Sequence, residues 1–235
     1  MSAVSGTAVH HDLAFLHTSA VHIPTFGQLI QELAPGLHVH HVVDEALLTD
    51  AQRIGADDPG IVARVHASMQ HAATSGASIV ICTCSTIGGA AERTPSYGKF
   101  NVARIDRAMA DRAVQLGPRI LLVAALASTL EPSSLLINES AAAQAQAVQI
   151  SHLLVEGAWA HFQNGERDAY LQLITDAITK AISTNAAEID VVVLAQASMA
   201  AVADDLNNRG LGKEILASPR LGVAHALAYI RKRDA

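Results

Sequence analysis

A thiol set among hydroxyls, Thr83-Cys84-Ser85-Thr86 with Gly88-Gly89 close behind, is the segment of this 235-residue chain with the clearest chemical potential. It follows the apolar run from Ile79, so Cys84 stands where a strand gives way to a helix. A thiol ahead of a helix N-terminus has its thiolate favoured, which predicts a Cys84 pKa below the ordinary value of about 8.5. Such a group can take a proton from carbon or add to an activated double bond. Cys82, inside the apolar run, reads as packed and inert, and no disulfide between the two is expected.

Three more polar segments lie at or just past the ends of apolar runs: His17-Thr18-Ser19, Ser128-Thr129 and Gln196-Ala197-Ser198. In open parallel sheets, ligands bind beyond the carboxyl ends of the strands. Hydroxyls and free backbone N–H groups at helix starts serve as N-caps or seat a small anion. Four of these clusters at equivalent strand ends point to a shared small-anion site. His17 is the one histidine placed to belong to it. The other histidines are scattered, and Cys-Thr-Cys lacks a second ligand pair, so no metal is expected. No glycine-rich phosphate fingerprint occurs, so no nucleotide cofactor is expected either.

Positioning these loops requires a framework. Half of the residues are hydrophobic and only 16% are charged, with a formal net charge of −6. That balance suits α/β layers, offers no basic footprint for nucleic acid, and excludes a disordered chain. Strands are expected at Asp12–His17, His38–Val43, Ala77–Thr83, Arg119–Ala124, His152–Gly157, Ile189–Ala195 and Glu214–Ala217. Helices are expected at Thr25–Leu33, Gly60–Ser75, Ile105–Leu116, Glu131–Gln149, Glu166–Thr184, Ala197–Asn208 and Leu221–Arg231. Strands alternating with helices give βαβ units and a parallel sheet. Ile79–Thr86 aligns without a gap on Val191–Ser198, and Leu13–His17 on Ile120–Ala124. The chain therefore reads as two similar halves: residues 1–116 plus 212–235 around the Cys84 loop, and 117–211 around the Gln196 loop. Met1–Thr7 has no basic segment and no apolar core of a signal peptide, and no apolar run is long enough to span a bilayer, so a cytoplasmic protein is expected.

The Cys84-Ser85-Thr86 segment resembles the first catalytic loop of the aspartate/glutamate racemase superfamily, which includes hydantoin racemase, maleate isomerase and arylmalonate decarboxylase. Val191–Met199 resembles its second loop, Ser218-Pro219-Arg220-Leu-Gly-Val its closing strand-to-helix turn, and Ile105-Asp106 with Met109 a further segment. The resemblance implies two flavodoxin-like α/β domains facing each other across a cleft, a homodimer, no cofactor and a small carboxylate substrate. It also implies two cysteines working from opposite faces of the substrate, with Thr18, Ser19, Thr83, Ser85, Thr86, Ser128, Thr129, Ala197 and Ser198 holding the carboxylate. Here the sequence departs from the pattern, because the second cysteine position is Gln196. An amide has no proton-transfer pKa near neutrality, although it donates hydrogen bonds to a carboxylate or an oxyanion. The expected function is a cofactor-independent isomerase acting next to a carboxylate with Cys84 as acid/base or nucleophile. A carbon–carbon lyase, or a carboxylate-binding protein without catalysis, are the alternatives. His17 or water is the expected source of a second proton-transfer group if one exists.

Overall fold

The computed structural model of the chain describes residues 11–233, so the N-terminal segment read above for a targeting signal lies outside the described residues. Eight parallel strands form two four-stranded sheets. The first contains β1 (Leu13–His17), β2 (Val39–Val43), β3 (Ile79–Cys82) and β4 (Asn101–Arg104), in the order β2-β1-β3-β4. The second contains β5 (Arg119–Ala124), β6 (Gln149–Leu154), β7 (Val191–Leu194) and β8 (Glu214–Ala217), in the matching order β6-β5-β7-β8. The aligned segments occupy equivalent strands of the two sheets and keep the same register. Leu13 pairs with Ile79 in one sheet, and Ile120 pairs with Val191 in the other. The two flavodoxin-like α/β halves expected from the sequence are present.

The central strands are apolar apart from His17 at the end of β1 and Arg119 at the start of β5, because both faces of each sheet are covered. Side chains alternate between the faces. Ala14, Leu16, Val80 and Cys82 face α2 (Glu45–Ile54), α3 (Pro59–Ala73) and α4 (Gly88–Glu92). Leu13, Phe15, Ile79 and Ile81 face α1 (Ile23–Leu33) and α10 (Ser218–Arg233). In the second half, Ile120, Leu122, Val191 and Val193 face α5 (Arg107–Leu116) and α6 (Leu130–Ala143). Leu121, Val123, Val192 and Leu194 face α7 (Ala158–Gln163), α8 (Arg167–Asn185) and α9 (Ala200–Arg209). Local chemistry sets several boundaries. Asp58 caps α3 by accepting from the N–H groups of Gly60 and Ile61, with Pro59 in the first turn.

The expected division at residues 116 and 212 needs correction. β8 pairs with β7 in the second sheet, and α5 also packs on that sheet; only α10 returns to the first. Each half thus gives its last helix to the other, with crossings between β4 and α5 and between β8 and α10. The exchange depends on Gly222. A Cβ there would lie 2.1 Å from the carbonyl oxygen of Ile105, so only glycine lets α10 lie across that backbone. The Ile105-Asp106 and Ser218–Val223 segments, far apart in sequence, meet at this crossing.

Other differences are local. The expected helix to Gln149 stops at Ala143, because Ala145 takes a positive φ of 52° and Gln146 N–H closes back onto Ala141 O. An alanine in that role gives no sequence signal, since glycine usually fills it. β6 begins three residues earlier than expected, and β4, α2, α4 and α7 were not anticipated.

Candidate active site

The loops after β1, β3, β5 and β7 converge between the halves, at the carboxyl ends of both sheets. They enclose a cavity of about 40 Å³ whose walls include Thr18, Thr83, Cys84, Ser85, Thr86, Thr129, Gln196, Ala197 and Ser198. Nine of the twelve residues singled out in the sequence are therefore together. His17, Ser19 and Ser128 do not line it.

Cys84 is partly exposed, and both thiols of the chain are free. Burial pushes its thiol above the ordinary value. Hydrogen bonds offered by the Thr18 hydroxyl, the Ile87 and Thr86 backbone N–H groups and the Thr86 hydroxyl act in the opposite direction without outweighing it. The expectation of a lowered pKa is thus corrected. The helix that follows, α4, has only five residues and begins four positions after Cys84, so its dipole is small. Burial thus favours the neutral thiol over the thiolate. Cys82 is fully buried, and burial raises its thiol further, in keeping with an inert packed residue.

The Cys84 loop is held from behind by a buried ion pair. Arg104 Nε donates to Asp106 Oδ1 at 2.6 Å and Nη2 donates to Oδ2 at 2.9 Å, while Nη2 also reaches Ser85 O at 3.2 Å. A Cβ at Gly88 would lie 2.7 Å from Arg104 Nε, so the first glycine of Gly88-Gly89 is there to admit the guanidinium. Ser85 is part of this framework. Its hydroxyl donates to Ala195 O at 2.9 Å and ties the first loop to the end of β7.

Gln196 is oriented from within its own half, by the end of the neighbouring strand β5. Its Oε1 accepts from Ala125 N–H at 2.7 Å, which leaves the amide nitrogen as the donor end. Ser198 shares a hydrogen bond of 2.7 Å with the buried Tyr170 hydroxyl. Thr83 donates its hydroxyl proton to Leu16 O at 3.2 Å. His17 must then donate from Nδ1 to Thr83 Oγ1 at 2.9 Å, and its Nε2 accepts from His41 Nδ1 at 2.9 Å.

His17 is accordingly a buried structural group with both nitrogens committed. Burial, followed by the neighbouring His41 and His22, lowers its pKa to about 3. The residues that sequence reasoning missed are His22, Leu48, Leu126 and Trp159, all of which line the cavity. His22 lies in a short 3-10 turn, Ala20–His22, after β1, with its ring stacked on Phe162 of the other half at 6.3 Å. Burial lowers its pKa to about 4. The only sequence signal for it was its place just beyond a strand's carboxyl end.

A second cavity of about 590 Å³ adjoins the first. It runs between α1, α9, β8 and the start of α10, and His22, Ala197 and Ser198 line both. Among the described residues no group of three or more His, Cys, Asp or Glu side chains is arranged to hold a metal ion, and no helix is long and apolar enough to cross a membrane.

No family model and no curated protein sequence matches the chain. Solved structures do. A glutamate racemase from Bacillus anthracis superposes with a TM-score of 0.67 at 13% identity, over 96% of this chain and 83% of that one. Allantoin racemase from Klebsiella pneumoniae gives 0.63 at 18% identity, over 95% and 89%. Aspartate racemase from Picrophilus torridus gives 0.61 at 12% identity, over 94% of each chain. Nearly the whole length of this chain, both halves included, thus has the fold of these amino-acid and allantoin racemases.

Proposed function

We propose that this protein is a cofactor-independent, racemase-like isomerase of small carboxylic acids that acts at the carbon next to the carboxylate. The observation that carries this reading is the convergence of Cys84 with hydroxyls and the Gln196 amide in one cavity between the halves, at the carboxyl ends of both sheets, in a fold shared with racemases. Its walls hold no Asp, Glu, Lys or Arg. A carboxylate is then held by Thr18, Thr86, Thr129 and the Gln196 amide nitrogen, and the same donors stabilise charge that builds on its oxygens when the α-proton leaves. The cavity of about 40 Å³ is small, so the larger part of a substrate extends into the adjoining cavity of about 590 Å³. The substrate carbon lies at the junction, beside Cys84. In this reading the protein works as a homodimer in the cytoplasm.

A lyase reading has one specific support: Gln196 leaves a single thiol, which suffices to protonate a carbanion formed by loss of carbon dioxide. Incubation in D₂O with aspartate, glutamate, allantoin, hydantoins, maleate and 2-substituted malonates, followed by proton NMR, separates the two. Deuterium uptake at the α-carbon that disappears in Cys84→Ala supports the isomerase. Release of carbon dioxide from a malonate supports the lyase. Binding of an acid with no chemistry in the whole panel, equal in wild type and Cys84→Ala, refutes both.

A further inference from the structure

Racemisation needs a group on each side of the reacting carbon, and the second cannot be Gln196. It cannot be His17 either, which is fully buried, engaged by Thr83 and His41, and absent from the cavity wall. Three residues line both the small cavity and the large one: His22, Ala197 and Ser198. They stand at the junction where a carboxylate in the first cavity would place its α-carbon. Ala197 has no side-chain proton to exchange, and the Ser198 hydroxyl is tied to Tyr170. His22 alone among the three has a nitrogen lone pair that accepts a proton in water near neutrality. Among the described residues, no hydrogen bond occupies either of its ring nitrogens. Its ring lies on Phe162 of α7, the helix that also contributes Trp159 to the cavity wall, so a residue of the first half is held against the second half, beside the 196–198 loop.

We propose that His22 is the second proton-transfer group of the Cys84 site, which makes the protein a thiol–imidazole racemase. The proposal rests on the racemase-like reading above and deepens it. In one direction the His22 lone pair takes the α-proton and becomes imidazolium, while the electron pair of the broken C–H bond passes into the carboxylate as an enediolate. Cys84 then gives its Sγ–H proton to the opposite face of that carbon and becomes a thiolate. The product is inverted and carries one new proton. Imidazolium and thiolate return to the neutral pair by exchanging a proton through solvent, so no oxidant, reductant or cofactor enters. The other enantiomer is turned over from the thiolate–imidazolium form. Burial keeps His22 neutral in the empty site, and a bound carboxylate beside it raises its affinity for a proton when one must be taken up.

The test uses His22→Gln and His22→Phe, the latter chosen to keep the stack on Phe162, with thermal unfolding to confirm that each is folded. Wild type and variants are incubated in D₂O with each enantiomer of aspartate and glutamate, and followed by proton NMR and chiral chromatography. The expected result is inversion with deuterium uptake in wild type, and inversion slowed by at least about 100-fold in both variants. Cys84-catalysed exchange with retention survives from the one enantiomer that presents its proton to sulfur. Inversion in the folded variants within threefold of wild type overturns the proposal and leaves the racemase-like reading intact. Absence of any Cys84-dependent exchange in wild type overturns both. A second readout needs no turnover: the His22 Hε1 resonance is titrated after Cys84 is alkylated with iodoacetate or, as neutral control, iodoacetamide. A carboxymethyl group raises the His22 midpoint by about one pH unit or more, and the carbamidomethyl group does not. An equal midpoint in the two adducts shows that His22 does not face the sulfur and overturns the assignment.

Discussion

Replacing Asp106 by asparagine removes one charge from the buried pair behind the Cys84 loop and changes almost no volume. The side chains of Arg104 and Asp106 are 3% and 1% exposed, so the guanidinium left behind cannot reach water. The introduced amide still accepts one hydrogen bond, but its NH₂ group turns a donor toward a second donor. An uncompensated charge at such depth costs about 3–5 kcal/mol. In a domain of this size that lowers the melting temperature by roughly 6–20 °C. The double variant Arg104→Met, Asp106→Leu removes both charges together. Apolar replacement of a buried pair is often neutral or stabilising, and only the Ser85 carbonyl then loses a donor, at about 1–3 kcal/mol. The double variant is therefore expected within about 2 kcal/mol of wild type, well above the single one. Urea unfolding at pH 7 with a common slope measures both differences. A loss below about 1 kcal/mol in Asp106→Asn, or a double variant less stable than the single, refutes the reasoning. Burial pushes the Asp106 carboxyl up, but the charge and hydrogen bonds of Arg104 outweigh it and hold the carboxyl below its ordinary value. The stability it provides is thus complete above the usual carboxylate range and is lost as the pH falls from that range through the lowered Asp106 value.

Other residues give further expectations. His17 and His22 are held neutral, with pKa values lowered from 6.5 to about 3 and about 4, so the unfolded chain binds more protons below pH 6.5. Each then removes up to about 1.4 kcal/mol of stability per pH unit below pH 6, His22 losing its slope near pH 4 and His17 about a unit lower, and urea midpoints between pH 6 and 4 should flatten in His17→Asn. Gly222→Ala places a methyl 2.1 Å from Ile105 O and should cost about 1–3 kcal/mol or more by thermal unfolding. Gly27→Ala, in mid-α1 with nothing within 4 Å, should instead gain about 0.5–1 kcal/mol. Asn207 closes the free edge of β8 by donating to Ile215 O and accepting from Ile215 N–H, at 2.8 and 3.0 Å. Asn207→Leu should cost about 1–3 kcal/mol and produce concentration-dependent association by size-exclusion chromatography.

The framework was legible because burial on both faces makes strands read as apolar runs, and duplication makes those runs repeat. Leu13 was matched with Ile120 and Ile79 with Val191, and the structure gives the matched positions the same pairing, Leu13 beside Ile79 in one sheet and Ile120 beside Val191 in the other. The exchange of α5 and α10 was not legible. Nothing in an amphipathic helix tells which of two equivalent sheets it covers, and the decisive contact, Gly222 on Ile105 O, joins residues more than a hundred positions apart. The loops were found by type and place, yet their electrostatics were not. For Cys84 a local dipole argument predicted a depressed pKa, and burial outweighed it. His17 was preferred over His22 because it ends a strand. Whether a ring nitrogen is free or engaged depends on Thr83 and His41 across the sheet, and for His22 on Phe162 in the other half.

The cavity wall carries no formal charge, and the groups that can ionise are held neutral, Cys84 as a thiol and His22 as an imidazole. Arg104 stands behind the loop with its charge balanced by Asp106, so it shapes the Ser85 carbonyl without charging the site. An anion is therefore met by hydroxyls and an amide fixed in place, dipoles that need not reorganise when charge moves from carbon to oxygen. A fixed cation would bind the ground-state carboxylate more tightly and gain less as the proton leaves, because only interactions that strengthen in the transition state raise the rate. A neutral site would also make the proposed acid–base pair respond to its ligand. In the proposed mechanism the thiol and the imidazole rest uncharged in the empty site, and the negative charge of an arriving carboxylate raises the basicity of His22.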